Sequence, residues 1–379
     1  MDFTLTEEQT LIRDMARDFA KNELAPHAGD WDQNATFPAE QIRAMAELGL
    51  MGVNVSEELG GAEAGPVALS LAITEIARGC ASTAVTMSVT NMVCEVIERF
   101  GTPEQRERYC PRITSGEFFA GAFCLSEAEA GSDPGSMRTT AVRDGDRWVI
   151  NGEKMWITSA EQAGVHVVWA RTGGKGTGGI SCFLVEGDNP GLTPGKKEDK
   201  MGLRASNTAP VLFEDCVVPA SALLGEENGG FKVAMMALDG GRIGIASQAL
   251  GIGLAAQEAA AAHSLEREQF GRPISRFQAI QWLLADAKTE LAAARHLTLR
   301  AAWLKGEKRP FTREASMAKT YSTEAAGRAC DAALQIHGGY GYVKEYDVER
   351  HYRDVRVTRI YEGTNQVQRI VIARSLLEA

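Results

Sequence analysis

One carboxylate stands out near the end of the 379-residue chain: Glu362, in Ile360-Tyr361-Glu362-Gly363-Thr364-Asn365-Gln366. Most glutamates are solvated. One set between aromatic and apolar residues just ahead of a helix can be partly buried, and burial raises its pKa toward the range of a general base. Four other segments carry chemistry-bearing types. Cys124-Leu125-Ser126-Glu127-Ala128-Glu129-Ala130-Gly131-Ser132-Asp133 is a small polar loop; it reads either as a surface turn or as a loop whose N–H and hydroxyl groups hold an anionic ligand. Trp156-Ile157-Thr158 ends a strand, its Trp serving as core or as a platform for a flat heterocycle that Thr158 hydrogen-bonds. Arg267-Glu268-Gln269-Phe270-Gly271-Arg272-Pro273-Ile274 is either a helix stop capped at Gly271 or a bidentate phosphate site. Leu334-Gln335-Ile336-His337-Gly338-Gly339-Tyr340-Gly341-Tyr342 is denser in glycine than a C-cap needs, which favours close backbone approach to a ligand.

Other chemistries lack support. Gly174-Lys175-Gly176-Thr177-Gly178-Gly179 fits a dinucleotide fingerprint in form, but a strand follows it where a helix N-terminus is required, so it is a hairpin turn. There is no P-loop and no G-x-S-x-G elbow. Lys+Arg of 40 against Asp+Glu of 50 gives a formal charge of −10, without the basic footprint of a nucleic-acid binder. The seven cysteines form no C-x-x-C pair and the six histidines no metal spacing, so reduced thiols and no metal are expected. No window reaches a membrane span, and Met1-Asp2-Phe3-Thr4-Leu5 is not a signal peptide. A cytoplasmic protein is expected, or one of the mitochondrial matrix if a presequence has been removed.

These segments must be positioned by three blocks. Residues 1 to about 115 read as helical: Thr6 and Gln9 form a capping box, Ile12, Met15 and Phe19 follow at helical spacing, and Pro26 ends that helix. Helices follow at 41–50, 69–78, 85–100 and 103–108. From 116 to 220 the texture is β, with Asn151-Gly152 as a hairpin turn after Trp148-Val149-Ile150, and with short strands at 166–170, 180–185, 211–213 and 217–218. Long Ala/Leu-rich stretches at 230–264, 274–305 and 311–335 have the lengths of bundle helices. The expected fold is α+β: an N-terminal helical domain (1–117), a middle β-barrel or sandwich (118–225) and a C-terminal four-helix bundle (226–379).

Taken together, Leu125-Ser126-Glu127 through Gly131-Ser132-Asp133, Lys154-Met155-Trp156-Ile157-Thr158, the Arg267–Pro273 segment, Gln335–Tyr342 and Tyr361–Gln366 resemble the acyl-CoA dehydrogenase family of flavoenzymes over essentially the whole chain, with the short-chain and isobutyryl branches most similar in feel. The resemblance implies FAD between the β-domain and the bundle. Leu125, Ser126 and Ser132 would touch the flavin or its ribityl-phosphate chain, Trp156 would cover a ring face, Thr158 would hydrogen-bond the isoalloxazine, and Ile157 between them would also bind the cofactor. Arg267, Phe270 and Gln278, with Gln335, Ile336, Gly338 and Gly339, would reach the FAD of a neighbouring subunit in a homotetramer. Thr364 and Gln366 would close the site. Glu362 would remove the α-proton of an acyl-CoA thioester while the β-hydrogen leaves as hydride to flavin N5, and electrons would pass to electron-transfer flavoprotein. Ser132, Asp239, Arg242 and Gly363 match substrate or CoA positions.

Some family members carry the base one helix position before that Arg; Gly241 stands there, leaving Glu362 as the base. Ala128 and Glu129 depart from the usual Pro and Gly. The acyl pocket is expected around Thr86, Met87 and Thr90, with Met87 filling depth and so favouring a short acyl group. A branched acyl group is the alternative. An oxidase, a non-redox lyase and a non-catalytic scaffold on the same fold are rival readings, each disfavoured by the chain length or by the intact set of Glu362, Arg242, Thr158 and Ser132.

Overall fold

The computed structural model describes residues 4–377; the reading of Met1-Asp2-Phe3 falls outside them. Thr6 starts α1 (Glu7–Phe19) with the expected capping box, its hydroxyl accepting from Gln9 N at 3.1 Å while Gln9 Oε1 accepts from Thr6 N at 3.2 Å. Pro26 does not end this helix. The chain passes through one π-helical turn, Ala20–Leu24, into α2 (Ala25–Asn34), and Pro26 lies in the first turn of α2. Its missing N–H falls among the donors that a helix start leaves unbonded. Then come α3 (Ala39–Glu47), α4 (Gly65–Gly79), α5 (Ala81–Phe100) and α6 (Pro103–Thr114). Most residues of α4 and α5 are buried, so these two form the inner layer of the block.

The middle block is one seven-stranded sheet in the order β1-β4-β2-β3-β7-β6, with β5 added to β4. Its strands are β1 (Ala120–Cys124), β2 (Thr140–Asp144), β3 (Arg147–Thr158), β4 (Ala163–Arg171), β5 (Ile180–Glu186), β6 (Leu192–Pro194) and β7 (Thr208–Pro219). Asn151-Gly152 is not a hairpin turn: β3 runs straight through it, and the turn lies at Gly145-Asp146. The pairing with β7 slips between Ile150 and Gly152. Gly152 has φ +147°, and a Cβ there would stand 2.5 Å from Thr139 Oγ1. A bulge beside a close backbone crossing demands the same residue types as a tight turn, which is why the dipeptide misleads. For the same reason 211–213 and 217–218 belong to the single strand β7, with Asp215 at φ +43° between them. The glycine-rich run at 174–179 is the β4–β5 connection, as read.

The last block holds α7 (Gly230–Glu266), α8 (Gln278–Gly306), α9 (Thr312–His337), α10 (Val348–Arg356) and α11 (Asn365–Leu377). α9 packs against α7, α8 and α11, completing the four-helix arrangement. Gly271 is not a helix cap. α7 stops earlier, capped by Arg267, and Phe270 (φ +53°) and Gly271 (φ +74°) form the two-residue turn of a small hairpin, β8 (Glu268–Gln269) with β9 (Arg272–Pro273).

Helix α5 joins sheet to bundle. Gly121 of β1 lies against Val93, a Cβ there falling 2.5 Å from Val93 Cγ1, and its N–H donates to Thr90 Oγ1 at 3.4 Å. The same helix packs on α7, and the buried core runs continuously through all three blocks. All seven cysteines are buried free thiols. Among the described residues no helix is long and apolar enough to cross a membrane.

Candidate active site

Glu362 sits in the short connection between α10 and α11, at φ +52°, followed by Gly363 at φ +84°. Two consecutive left-handed residues reverse the chain sharply. A non-glycine residue pays a steric cost there of about 1–2 kcal/mol, so its surroundings must hold it. Gln368 on α11 donates to the Glu362 carbonyl at 3.3 Å and to the Gly363 carbonyl at 3.0 Å. Lys319 on α9 donates to the Gly363 carbonyl at 2.8 Å and to Asn365 Oδ1 at 3.0 Å. Tyr361 anchors the preceding residue through its hydroxyl on Gln248 Oε1 of α7.

The carboxylate is thereby aimed at α7. Glu362 Oε2 is shut off from solvent and has no hydrogen-bond partner. A Cβ on Gly241 would lie 2.7 Å from that oxygen and 2.9 Å from Met92 Sδ of α5. Burial pushes the Glu362 carboxyl up to about 7, against the pull of Arg242 and Lys319, which favour the charged form. The basic oxygen is therefore poised near neutrality. Burial pushes Lys319 down to about 7, opposed by Glu362. Arg242, buried on α7, pairs with Asp239 at 2.5 Å, and Asp239 also accepts from Thr312 Oγ1 at 2.5 Å. Arg242 Nε, on the residue next to Gly241, is likewise buried without a partner.

Gly241→Ala tests this packing. The added methyl must displace either the carboxylate or Met92. Misplacement of a reacting group by about 1 Å costs on the order of 10²-fold, so turnover per bound cofactor is expected to fall by about that factor with cofactor content unchanged. Turnover within twofold of wild type would show that the carboxylate does not depend on this gap.

A second set of expected residues lies on the sheet. The loop 125–139 is zipped to β3: Met155 N donates to Ser126 O at 2.9 Å. Beneath it, Lys154, wholly buried, donates to Glu127 Oε1 at 2.8 Å and to Leu125 O at 3.2 Å. Glu127 also accepts from Arg138 N at 2.6 Å and Thr139 N at 3.0 Å. Burial pushes Glu127 up and Lys154 down; for Glu127, Lys154 and the amides outweigh burial and hold it below the usual carboxylate range. Leu125 is buried, Ser126 half-buried and Ser132 exposed. Trp156 stands out of β3 at φ +64°, where the β3–β7 register slips, and is 61% exposed, so it is a presented surface and not core. Ile157 is buried and Thr158 half-buried beside it.

A third set gathers at the far end of the bundle. His263 stacks on His337 at 4.2 Å, and the Arg267 guanidinium lies over the Tyr340 ring at 5.4 Å, which brings Arg267 beside the Gln335–Gly339 segment. Phe270, at the tip of the hairpin, is 93% exposed; Gln278 is exposed at the start of α8. At 1.5 Å per helical residue, Arg267 lies roughly 39 Å along α7 from Gly241, and His337 roughly 27 Å along α9 from Lys319. The two sets of residues thus lie far apart within one chain. Thr364 accepts from Val367 N at 3.3 Å as the cap of α11, and Gln366 is exposed.

Met87 is fully buried on α5 but does not line the crevice beside Glu362; Ser88 and Met92 do, with Leu69, Ile73, Ile243 and Gly244. At about 100° per residue, Met87 and Met92 point some 140° apart. Lys319, Gln368, Met92 and the Lys154–Glu127 pair have no assigned role in the sequence reading. Only Lys319 left a usable sign: Ala315, Ser316, Ser322 and Thr323, its neighbours three and four residues away, are all small, the mark of a helix face pressed against another element.

Family models described as acyl-CoA dehydrogenase N-terminal, middle and C-terminal domains match residues 6–117, 122–216 and 228–377. The mitochondrial short-chain specific acyl-CoA dehydrogenase of Bos taurus is 52% identical over 99% of this chain and 91% of its own. The structure of butyryl-CoA dehydrogenase from Megasphaera elsdenii superposes with a TM-score of 0.98 at 42% identity, covering all of both chains. A glutaryl-CoA dehydrogenase from Mycobacterium smegmatis, solved in complex with FADH2, has a TM-score of 0.94 at 32% identity over 99% of this chain and 96% of its own. The chain belongs to the acyl-CoA dehydrogenase family, FAD-dependent oxidoreductases acting on CH–CH bonds.

The residues present fit that cofactor. Gly131, Gly338 and Gly339 have open space where a side chain would stand, leaving bare backbone to cradle a ligand. The exposed Trp156 indole, next to Thr158, is a ready wall for a flat ring. Leu125, Ser126, Ser132, Trp156 and Thr158 would hold the flavin end.

Proposed function

We propose that this chain is a short-chain acyl-CoA dehydrogenase: it removes one hydrogen from each of the α and β carbons of a short acyl-CoA and leaves the trans-2-enoyl thioester. The observation that carries the reading is the buried, unpartnered Oε2 of Glu362, packed against Gly241, which with Met92 lines a crevice between α4, α5 and α7. Glu362 takes the α-proton on that oxygen. Its backbone N–H would polarise the thioester carbonyl as negative charge builds there, which is electrostatic preorganisation. Arg242 and Lys319 stabilise the ionised base between turnovers. FAD, when bound, supplies the acceptor for the β-hydride.

A short acyl group is supported by the closure of the crevice. α5 and α7 approach so closely beyond Met92 that a Cβ on Gly244 would lie 2.3 Å from Ser88 Oγ. Elsewhere on its wall, Glu95 pairs with Lys305 at 2.5 Å, and both line the space. The separation of Arg267, Phe270 and Gln335–Gly339 from Glu362 supports an oligomer in which these groups complete the FAD site of a second copy, a tetramer by family membership. Transfer of electrons to electron-transfer flavoprotein rests on family membership too.

The test is steady-state oxidation of butyryl-, isobutyryl- and octanoyl-CoA with an artificial electron acceptor. The reading expects one of the four-carbon thioesters to give the highest kcat/KM. Preference for octanoyl-CoA would overturn it.

A further inference from the structure

The Glu362 loop needs something to hold it. Its two left-handed residues leave the carbonyls of Glu362 and Gly363 facing away from any regular ladder, and such conformations persist only where the surroundings over-determine them. Lys319 is the charged group placed to do so. Its side chain is fully buried, which for an unpaired ammonium costs several kcal/mol, and its contacts run to the loop: Gly363 O at 2.8 Å and Asn365 Oδ1 at 3.0 Å. Asn365 in turn donates to Thr323 Oγ1 at 2.9 Å and Glu324 Oε1 at 3.0 Å on the same helix. Glu324 is neutralised by Arg359 at 3.3 Å and Arg369 at 3.7 Å. One face of α9 thus grips both sides of the reversal, with the base on the residue before it.

We propose that Lys319 is a positioning residue for the dehydrogenation: its ammonium pins the Gly363 carbonyl and the Asn365 amide to α9, and so fixes the direction in which the Glu362 carboxylate faces Gly241. This rests on the assignment of Glu362 as the base. Gln368 grips the same carbonyls from α11, but as a neutral amide on the helix that the loop itself begins. Lys319 ties the loop to a different helix, one that packs directly on α7.

The experiment compares wild type with Lys319→Met, both loaded with FAD, by two readouts. Hydrogen exchange in residues 361–367 is expected to speed up in the variant, with exchange in α7 and the sheet unchanged. The kcat for butyryl-CoA per bound flavin is expected to fall by about 10²-fold, with KM changed by less than threefold. If Lys319→Met does not fold, Lys319→Gln, which keeps a donor but not the charge, is measured in the same way. Unchanged exchange in 361–367, or kcat per flavin within twofold of wild type, would overturn the proposal and leave Lys319 a packing residue. The exchange readout needs no substrate. If wild type itself fails to oxidise any short acyl-CoA, the functional assignment falls, while the exchange comparison still decides whether Lys319 holds the loop.

Discussion

Glu362→Gln is expected to retain FAD and to bind acyl-CoA, yet to lose nearly all flavin reduction. The amide matches the carboxylate in shape, so the packing against Gly241 and Met92 survives. The cost of burying a charge disappears, so folding stability should not fall. What is lost is the proton acceptor that this loop presents against Gly241. General base catalysis contributes typically 10² to 10⁴-fold, and an α-C–H next to a thioester is weakly acidic, so the upper end applies: a loss of about 10⁴-fold in the anaerobic single-turnover rate of flavin bleaching. Substrate binding, followed by the perturbation of the flavin spectrum on mixing, should change little. Bleaching at more than a tenth of the wild-type rate would mean that another group takes the proton.

Lys154→Met is expected to give the largest loss of stability. Lys154 and Glu127 are a buried ion pair at 2.8 Å, deep under the loop that carries Leu125, Ser126 and Ser132. Removing one partner of such a pair costs about 3–5 kcal/mol, because the other charge stays buried without compensation. Glu127 cannot simply turn to solvent, since it also holds the amides of Arg138 and Thr139. Thermal unfolding should therefore shift downward by several degrees, and the purified variant should carry less FAD, because the loop loses its tie to Leu125 O. Adding Glu127→Gln should recover part of the stability and little of the FAD content, because the charge is relieved while the loop remains untied. An unchanged melting temperature in Lys154→Met would show that the pair is not a structural support.

Much of this arrangement is legible in the residues, and the failures have physical causes. The α1 capping box, the buried inner helices and the bundle lengths follow from periodicity and end signals, which are local. Asn151-Gly152, Gly271 and Pro26 mislead because each reports a backbone conformation and not the element that uses it. A bulge, a two-residue turn and a helix start demand the same residues as a hairpin, a cap and a helix stop. Glu362 can be picked out because its chemistry and its apolar flanks are adjacent in sequence. Lys319 and Met92 escape because their roles depend on which helix face meets α7, and the sequence reading places the pocket on the face of Met87, some 140° round α5 from Met92. The distance between Glu362 and Arg267 is implicit in the length of α7, yet only the location of each along the folded helices shows how far apart the two groups lie.

The central claim is that a buried Glu362 carboxylate, poised near neutrality, takes the α-proton of a short acyl-CoA. Its most direct test is the pH dependence of the anaerobic single-turnover reduction of the bound flavin by butyryl-CoA. Burial raises the carboxyl to about 7, so below that pH the base is protonated and idle, and above it the base is competent. The rate should therefore rise tenfold per pH unit up to about pH 7 and gain nothing above it, where Lys319, also held down to about 7 by burial, loses its charge. A rate that is flat from pH 5 to 9, or a midpoint near the ordinary carboxylate value of about 4.3, would contradict it.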